Sequence, residues 1–282
     1  MTWLYLSLAT AFCYACLNIF SRVVSVDSKN PRALSIAFNL VSTVMALILL
    51  LLTGSFKNFS LPTQAEAWVY FLIAAFFYGI FERLRFFATK MLDASIYSII
   101  GNISVIIAFS ISLILYNETL TISKFAGSFL ILLSLLMVVE IKKSKISVKS
   151  LVVGLIASIA VGIAMGLDKK GATFFNPEVY NLLLWVAPLI ILYVPGITFK
   201  EINDEFKKFS WKIYLLSFFN FIGFYLGLKA FLLAEATKVI PVIQLSTIMT
   251  VIAGIFLLKE KNNLFKKIIA GIIAVIGVFL LR

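Results

Sequence analysis

A chain of 282 residues that is 62% hydrophobic and 13% charged, with a mean hydropathy of +1.05, is excluded from the soluble globular class, whose apolar share is about 45–50%. Its net charge of +12 comes from Lys and Arg held in short gaps between apolar runs, a distribution that anchors a membrane protein and argues against nucleic-acid binding. There is no histidine, and the two cysteines, Cys13 and Cys16, lie in an apolar run as small packing residues, with no second pair to complete a redox or metal site. No cofactor and no metal are expected.

Crossing a bilayer core of ~30 Å takes about 20 apolar residues, and ten such runs follow one another: 3–24, 33–53, 66–88, 95–116, 122–140, 150–168, 179–196, 211–232, 238–258 and 264–281. The first has neither a basic leader nor a small-residue cleavage site, so it reads as a retained span rather than a signal peptide. The gaps carry breakers and charges, among them Asn30-Pro31, Gly54-Ser55, Asn176-Pro177 and the stretch from Lys200 to Lys208. Gly162-x-x-x-Gly166 and Gly223-x-x-x-Gly227 mark close helix approaches, read as packing within the bundle and not as a dimer seam.

The second half echoes the first. At an offset of 142, Ala94, Ser104, Ile106, Leu115 and Glu118 meet identical residues at Ala236, Ser246, Ile248, Leu257 and Glu260, and at 144 Ala126-Gly127 meets Ala270-Gly271. The two Asn-Pro pairs recur at an offset of 146. This self-similarity sets the architecture: an all-α integral membrane protein of ten transmembrane helices, built as two inverted five-helix repeats. Residues 1–140 form the first repeat, 141–149 a basic connecting loop and 150–282 the second. Five helices is an odd number, so the second copy enters the membrane from the opposite side. Matching glycines in the last helices, Gly127 and Gly271, suggest matching contacts with the partner half.

Charges within the runs point to chemistry. An intramembrane charge costs at least about 2.5–3.5 kcal/mol on the insertion scale unless paired or wet. Run three holds Glu82, Arg83 and Arg85, of which Glu82 and Arg85 share a helical face with Tyr78 and Thr89; Arg83 can snorkel to an interface. Run eight adds Tyr225 and Lys229, four apart. Asn18, Asn39, Asn102 and Gln244 supply amides from runs one, two, four and nine, and Trp185 an aromatic wall. Together these ten residues (Asn18, Asn39, Tyr78, Glu82, Arg85, Asn102, Trp185, Tyr225, Lys229 and Gln244) suggest a polar substrate cavity lined by both halves. Glu82 accepts hydrogen bonds, whereas Arg85 and Lys229 only donate. That suits an amino acid or similar zwitterion, its carboxylate toward the cations and its amine toward Glu82, which is also a candidate to carry a coupling proton. The plainer reading is that Glu82 neutralises Arg85 and the amides hold the ligand. Glu118 and Glu260 end runs four and nine as carboxylates near the start of the next helix, where its dipole favours them.

The segments Leu115-Tyr-Asn-Glu118-Thr-Leu and Leu257-Leu-Lys-Glu260, with ten runs in two inverted halves and Gly127 and Gly271 in the fifth helix of each, resemble the drug/metabolite transporter superfamily, in its EamA-like branch. The likeness covers the whole chain. It implies a central cavity formed by the first four helices of each half, with the fifth at the periphery. It also implies cytoplasmic termini. The charge count implies the reverse, since sixteen cations fall after odd-numbered runs and six after even-numbered ones. Both orientations stay open.

The expected function is secondary, non-ATP transport of a small polar or amphipathic metabolite by alternating access, in a multi-pass cell-membrane protein (the inner membrane if bacterial). Its partners would be a small-molecule substrate and the lipid bilayer, with coupling to a proton or other ion gradient or to exchange, as monomer or homodimer. No phosphate-cradling Gly loop suggests ATP. An integral-membrane lipid-modifying enzyme is disfavoured by the lack of His and paired carboxylates. A membrane scaffold leaves the charges in runs three and eight unexplained.

Overall fold

In the computed structural model, the described residues are 1–57, 61–92, 94–138, 147–250 and 264–281, with the side chains of 94–96, 98, 99, 138, 264 and 267 left aside. Glu260 and the basic stretch 141–146 lie outside them. All regular structure among the described residues is helical: α1 Thr2–Asp27, α2 Pro31–Leu52, α3 Ala65–Met91, α4 Ala94–Leu115, α5 Ile122–Val138, α6 Val148–Phe174, α7 Pro177–Val186, α8 Pro188–Tyr193, α9 Phe199–Phe209, α10 Trp211–Leu233, α11 Ala236–Ile243 and α12 Leu264–Leu281. In a bilayer every backbone polar group needs an internal partner, and helices provide it locally. Among the described residues five helices, α1, α2, α3, α6 and α10, are long and apolar enough to cross a membrane; shorter apolar stretches cover 100–115, 122–137, 177–193 and 268–281. Residues 245–250 continue the ninth run as helix.

The two Asn-Pro pairs do one job in both halves. Asn30 caps α2, its side chain accepting from the Ala33 amide at 3.2 Å, and Asn176 caps α7 by accepting from Glu178 at 3.0 Å. In each, proline fills the first helical position, where an amide hydrogen would have no partner.

Packing follows the repeat. α1 lies antiparallel along α10: Phe20 stacks on Phe219, Tyr14 and Cys13 abut Gly223, and Thr10 donates to the Gly223 carbonyl at 3.2 Å. Its counterpart pairing sets α3 against α6, with Tyr78 at Asp168 and Tyr70 stacked on Phe174. α5 and α12, the equivalent last helices of the two halves, also run antiparallel, since Gly127 approaches Gly277 and Leu281 while Ser123 donates to the Leu280 carbonyl. Equivalent helices that oppose each other are what an axis in the membrane plane produces. Both GxxxG pairs serve internal seams. Gly162 meets the Ser104 backbone and Gly166 meets Ile111 on α4, while Gly223 meets α1.

Several elements differ from the sequence expectation. Run seven is two helices, because Pro188 has no amide hydrogen and its ring crowds the carbonyl one turn earlier. α11 contains Pro241 and ends at Gln244, before helix resumes at 245. The charged gap 200–208 is the helix α9, started by a full capping box of Thr198 and Glu201. α6 continues past residue 168 to Phe174. A side chain added at Gly271 would meet nothing within 4 Å among the described residues, and Gly277 makes the approach to Gly127 instead.

One end of the bundle gathers the link between α1 and α2, the end of α3 and helix α9. Arg22 donates to the Leu92 carbonyl at 2.9 Å, Lys90 to the Ser28 carbonyl at 2.6 Å, and the buried Glu205 of α9 accepts from the Ser28 hydroxyl and the Lys29 and Asn30 amides at 2.8–2.9 Å. This is the cation-rich end. The opposite end holds Glu118 and the start of α11.

Candidate functional site

The interior face of α3 carries the charges. Tyr78, Glu82, Arg85 and Thr89, spaced three to four residues apart, share one side, opposite the exposed stripe of Val69, Leu72, Ile73 and Phe76. Glu82 and Arg85 are 4% and 7% exposed and form a salt bridge at 2.8 Å. Glu82 also accepts from Asn39 Nδ2 at 3.3 Å, and the Arg85 guanidinium lies over the rings of Phe38, Phe81 and Phe86, 5.0–5.3 Å from their centroids. Rings of this kind lend a desolvated guanidinium extra electrostatic support.

α1 meets the end of α3 through Arg22, which donates to the Thr89 carbonyl; Asn18 lies one turn before Arg22 on α1. Asn18 sits on the face of Ala11, Tyr14, Ser21 and Ser25, opposite Tyr5, Phe12 and Val23, and yet it is exposed. Tyr14, also on that face, stands within Coulombic reach of Asp168, Arg85 and Glu82. Trp185 is buried edge-on between Phe38 and Phe224 and donates to Asn181 Oδ1 at 2.8 Å; Phe224 in turn meets Tyr78 edge-on. Three buried amide atoms, Asn39 Oδ1, Asn102 Nδ2 and Asn181 Nδ2, have no protein partner among the described residues, which leaves each for water or a ligand. Gln244 is half-buried at the break in run nine.

Asp168 was not singled out by the sequence. It is 2% exposed and accepts from the Tyr78 hydroxyl at 2.5 Å and the Tyr180 hydroxyl at 3.4 Å, with no Lys or Arg in salt-bridge reach among the described residues. The sequence Asp168-Lys-Lys read as the end of run six. The signal against that ending was Asn176-Pro177: a helix that starts at Pro177 leaves Gly171–Phe175 free to extend α6 and draw Asp168 inward. Asn220, buried on the inner face of α10, was missed as well; it is the residue that meets Tyr78 at the 142 offset.

Tyr225 and Lys229 are not brought to this interior. Trp211, Phe218, Tyr225 and Leu232, seven residues apart, form one stripe of α10, and Trp211, Phe218 and Leu232 are exposed. Lys229 follows nine residues after Asn220, about 180° around the helix. Both pair with the buried Glu178 of α7, Tyr225 at 2.6 Å and Lys229 at 3.0 Å. The spacing of four did place them on one face, and that face turns toward α7 rather than toward Glu82 and Arg85.

Glu118 works across the halves. Its carboxylate accepts from the Ala236 and Thr237 amides at 2.8 and 2.9 Å, the Thr237 hydroxyl at 2.6 Å and Lys169 at 2.7 Å. It thus caps α11 in the second half rather than α5, which Thr121 serves by accepting from the Lys124 amide. Burial acts to raise its pKa, but the Lys169 and Thr237 side chains and the two amides together hold it below the ordinary carboxylate value. A depressed pKa adds stability that is present above the unfolded value and lost as pH falls through the folded one. Glu118→Gln is expected to lower stability at neutral pH by about 1 kcal/mol, as loss of a cap does. In unfolding titrations the gap to the parent should close below about pH 4; a gap independent of pH would refute the charge-based account.

The described residues form an all-helical bundle of two inverted halves, with charges paired on inner faces. The chain belongs to the EamA-like transporter family, whose model matches residues 1–140 and again 148–282. One crystal structure, 12% identical, superposes with a TM-score of 0.73 over 99% of this chain and 95% of its own; at that identity the likeness shows the fold alone. No curated relative matches by sequence.

Proposed function

We propose that the protein is a secondary transporter that carries an amino acid or similar zwitterion by alternating access across the cell membrane. The observation that supports this reading best is the buried Glu82–Arg85 pair on the inner face of α3. An α-amino acid bears its opposite charges on adjacent groups, and so does this pair. The ligand carboxylate replaces Glu82 on Arg85 while its amine takes Glu82, exchanging one ion pair for two. Phe38, Trp185 and Phe224 cover the apolar part, and the free amide atoms of Asn39 and Asn102 remain to bond polar ones. Asp168, held among the described residues by tyrosine hydroxyls alone, is the carboxylate available to a coupling cation. Rocking of one half against the other exposes the site to each side in turn.

Purified protein in proteoliposomes, loaded with one radiolabelled amino acid and challenged with a panel of others, tests this. Exchange of zwitterions, with no exchange of their amides, esters or decarboxylated amines, is expected. Equal transport of those singly charged analogues would overturn the reading.

A further inference from the structure

Arg83 is the one charge of the Glu82-Arg83-Leu-Arg85 cluster that the site leaves out. It lies on the outer stripe of α3, seven residues after the exposed Phe76 and seven before Lys90. We propose that Arg83 and Arg32 together bind the headgroup of an anionic phospholipid at the cation-rich end of the bundle. The two guanidiniums meet at the last turn of α8. Arg83 Nη1 donates to the carbonyls of Ile191, at 2.8 Å, and Val194; Arg32 donates from Nε to Leu192 and from Nη2 to Tyr193, both at 2.7 Å, and also to Pro195. These bonds fix both planes, and among the described residues Arg32 Nη1 and Arg83 Nε and Nη2 have no partner.

Neither charge has a direct ion-pair partner among the described residues. Arg32 and Arg83 stand within Coulombic reach of each other. The carboxylate that acts on Arg32, Glu201, is already engaged by the Thr198 hydroxyl at 2.7 Å, its amide at 3.0 Å and Asn30 at 3.1 Å. Two like charges held together with spare donors are a site for phosphate oxygens. Around them the surface is apolar and open: Phe76, Phe87, Ile190 and Val194 are 53%, 36%, 71% and 59% exposed. Acyl chains cover such a surface, which selects a lipid over a soluble phosphate. The site is independent of the transported substrate.

The test is thermal unfolding of the purified protein in mixed micelles of phosphatidylglycerol, of phosphatidylcholine, or of phosphatidylcholine with inorganic phosphate. Phosphatidylglycerol alone should raise the apparent Tm of the parent and of a Lys149→Gln/Lys212→Gln control, which removes two other cations from the same end. Arg32→Gln/Arg83→Gln should lose most of that increment, and native mass spectrometry should show the parent retaining a phosphatidylglycerol that the variant does not. If the arginines only cap α8, the double variant melts lower with its lipid increment intact, and the proposal falls. It falls equally if phosphatidylcholine or inorganic phosphate matches phosphatidylglycerol. Should the double variant not fold, Arg83→Lys, which keeps the charge but not the planar fork, must show a reduced increment; an unchanged one rejects the site.

Discussion

Arg85→Met lowers the stability of the bundle by about 3–5 kcal/mol, and adding Glu82→Gln restores part of that loss. The single change leaves the Glu82 carboxylate buried beside Asn39 with no cation, the costliest state available to it. Removing the second charge as well replaces an uncompensated ion by a neutral amide that Asn39 can still bond. Glu82→Gln alone is milder, because Arg85 keeps the faces of Phe38, Phe81 and Phe86. A double-mutant cycle by denaturant unfolding in micelles measures the coupling. Strict additivity of the two single effects would show that the pair is not coupled in the folded protein, and the account of its burial would then fail.

The parts of this fold legible in the sequence were those whose signals are local or periodic. Asn30-Pro31 and Asn176-Pro177 announced two helix starts because capping and the fixed proline φ act within one turn. The three-residue spacing of Glu82 and Arg85 implied their shared face, and the small residues at 162 and 166 implied a close seam. What stayed hidden depends on which neighbour a face meets. Tyr225 and Lys229 share a stripe, but nothing in that spacing says whether it turns inward; Trp211, Phe218 and Leu232 on the same stripe are apolar, as a lipid-facing or an interior stripe would both be. Asp168 was hidden by the two lysines that follow it, which reach outward to Glu118 and Glu66 while the carboxylate turns in. Glu118 carried a recognisable repeat mark, yet its partners, Ala236 and Thr237, lie in the other half, and no local pattern could select α11 over α5.

The largest functional contrast expected lies between Lys229 and the inner charges. Lys229→Met should leave exchange within about twofold of the parent, because the lysine turns toward α7, about 180° around α10 from Asn220, and its partner Glu178 keeps the Tyr225 hydroxyl. Glu82→Gln should reduce exchange by roughly tenfold to a hundredfold, the equivalent of one charge-assisted hydrogen bond of about 1.5–3 kcal/mol, with the protein still folded and inserted. Asp168→Asn separates coupling from binding. It keeps the shape and the Tyr78 and Tyr180 partners of a side chain that has no cation of its own, so counterflow exchange of zwitterions should persist while accumulation against a gradient is lost. All three are read in the same proteoliposomes, by exchange with both sides loaded and by uptake under an imposed pH or sodium gradient. Loss of exchange in Lys229→Met would place the lysine in the pathway after all, and its pairing with Glu178 would not describe the transporting state. Undiminished gradient-driven uptake by Asp168→Asn would remove Asp168 from coupling, since an amide cannot carry the charge that the coupled cation must offset.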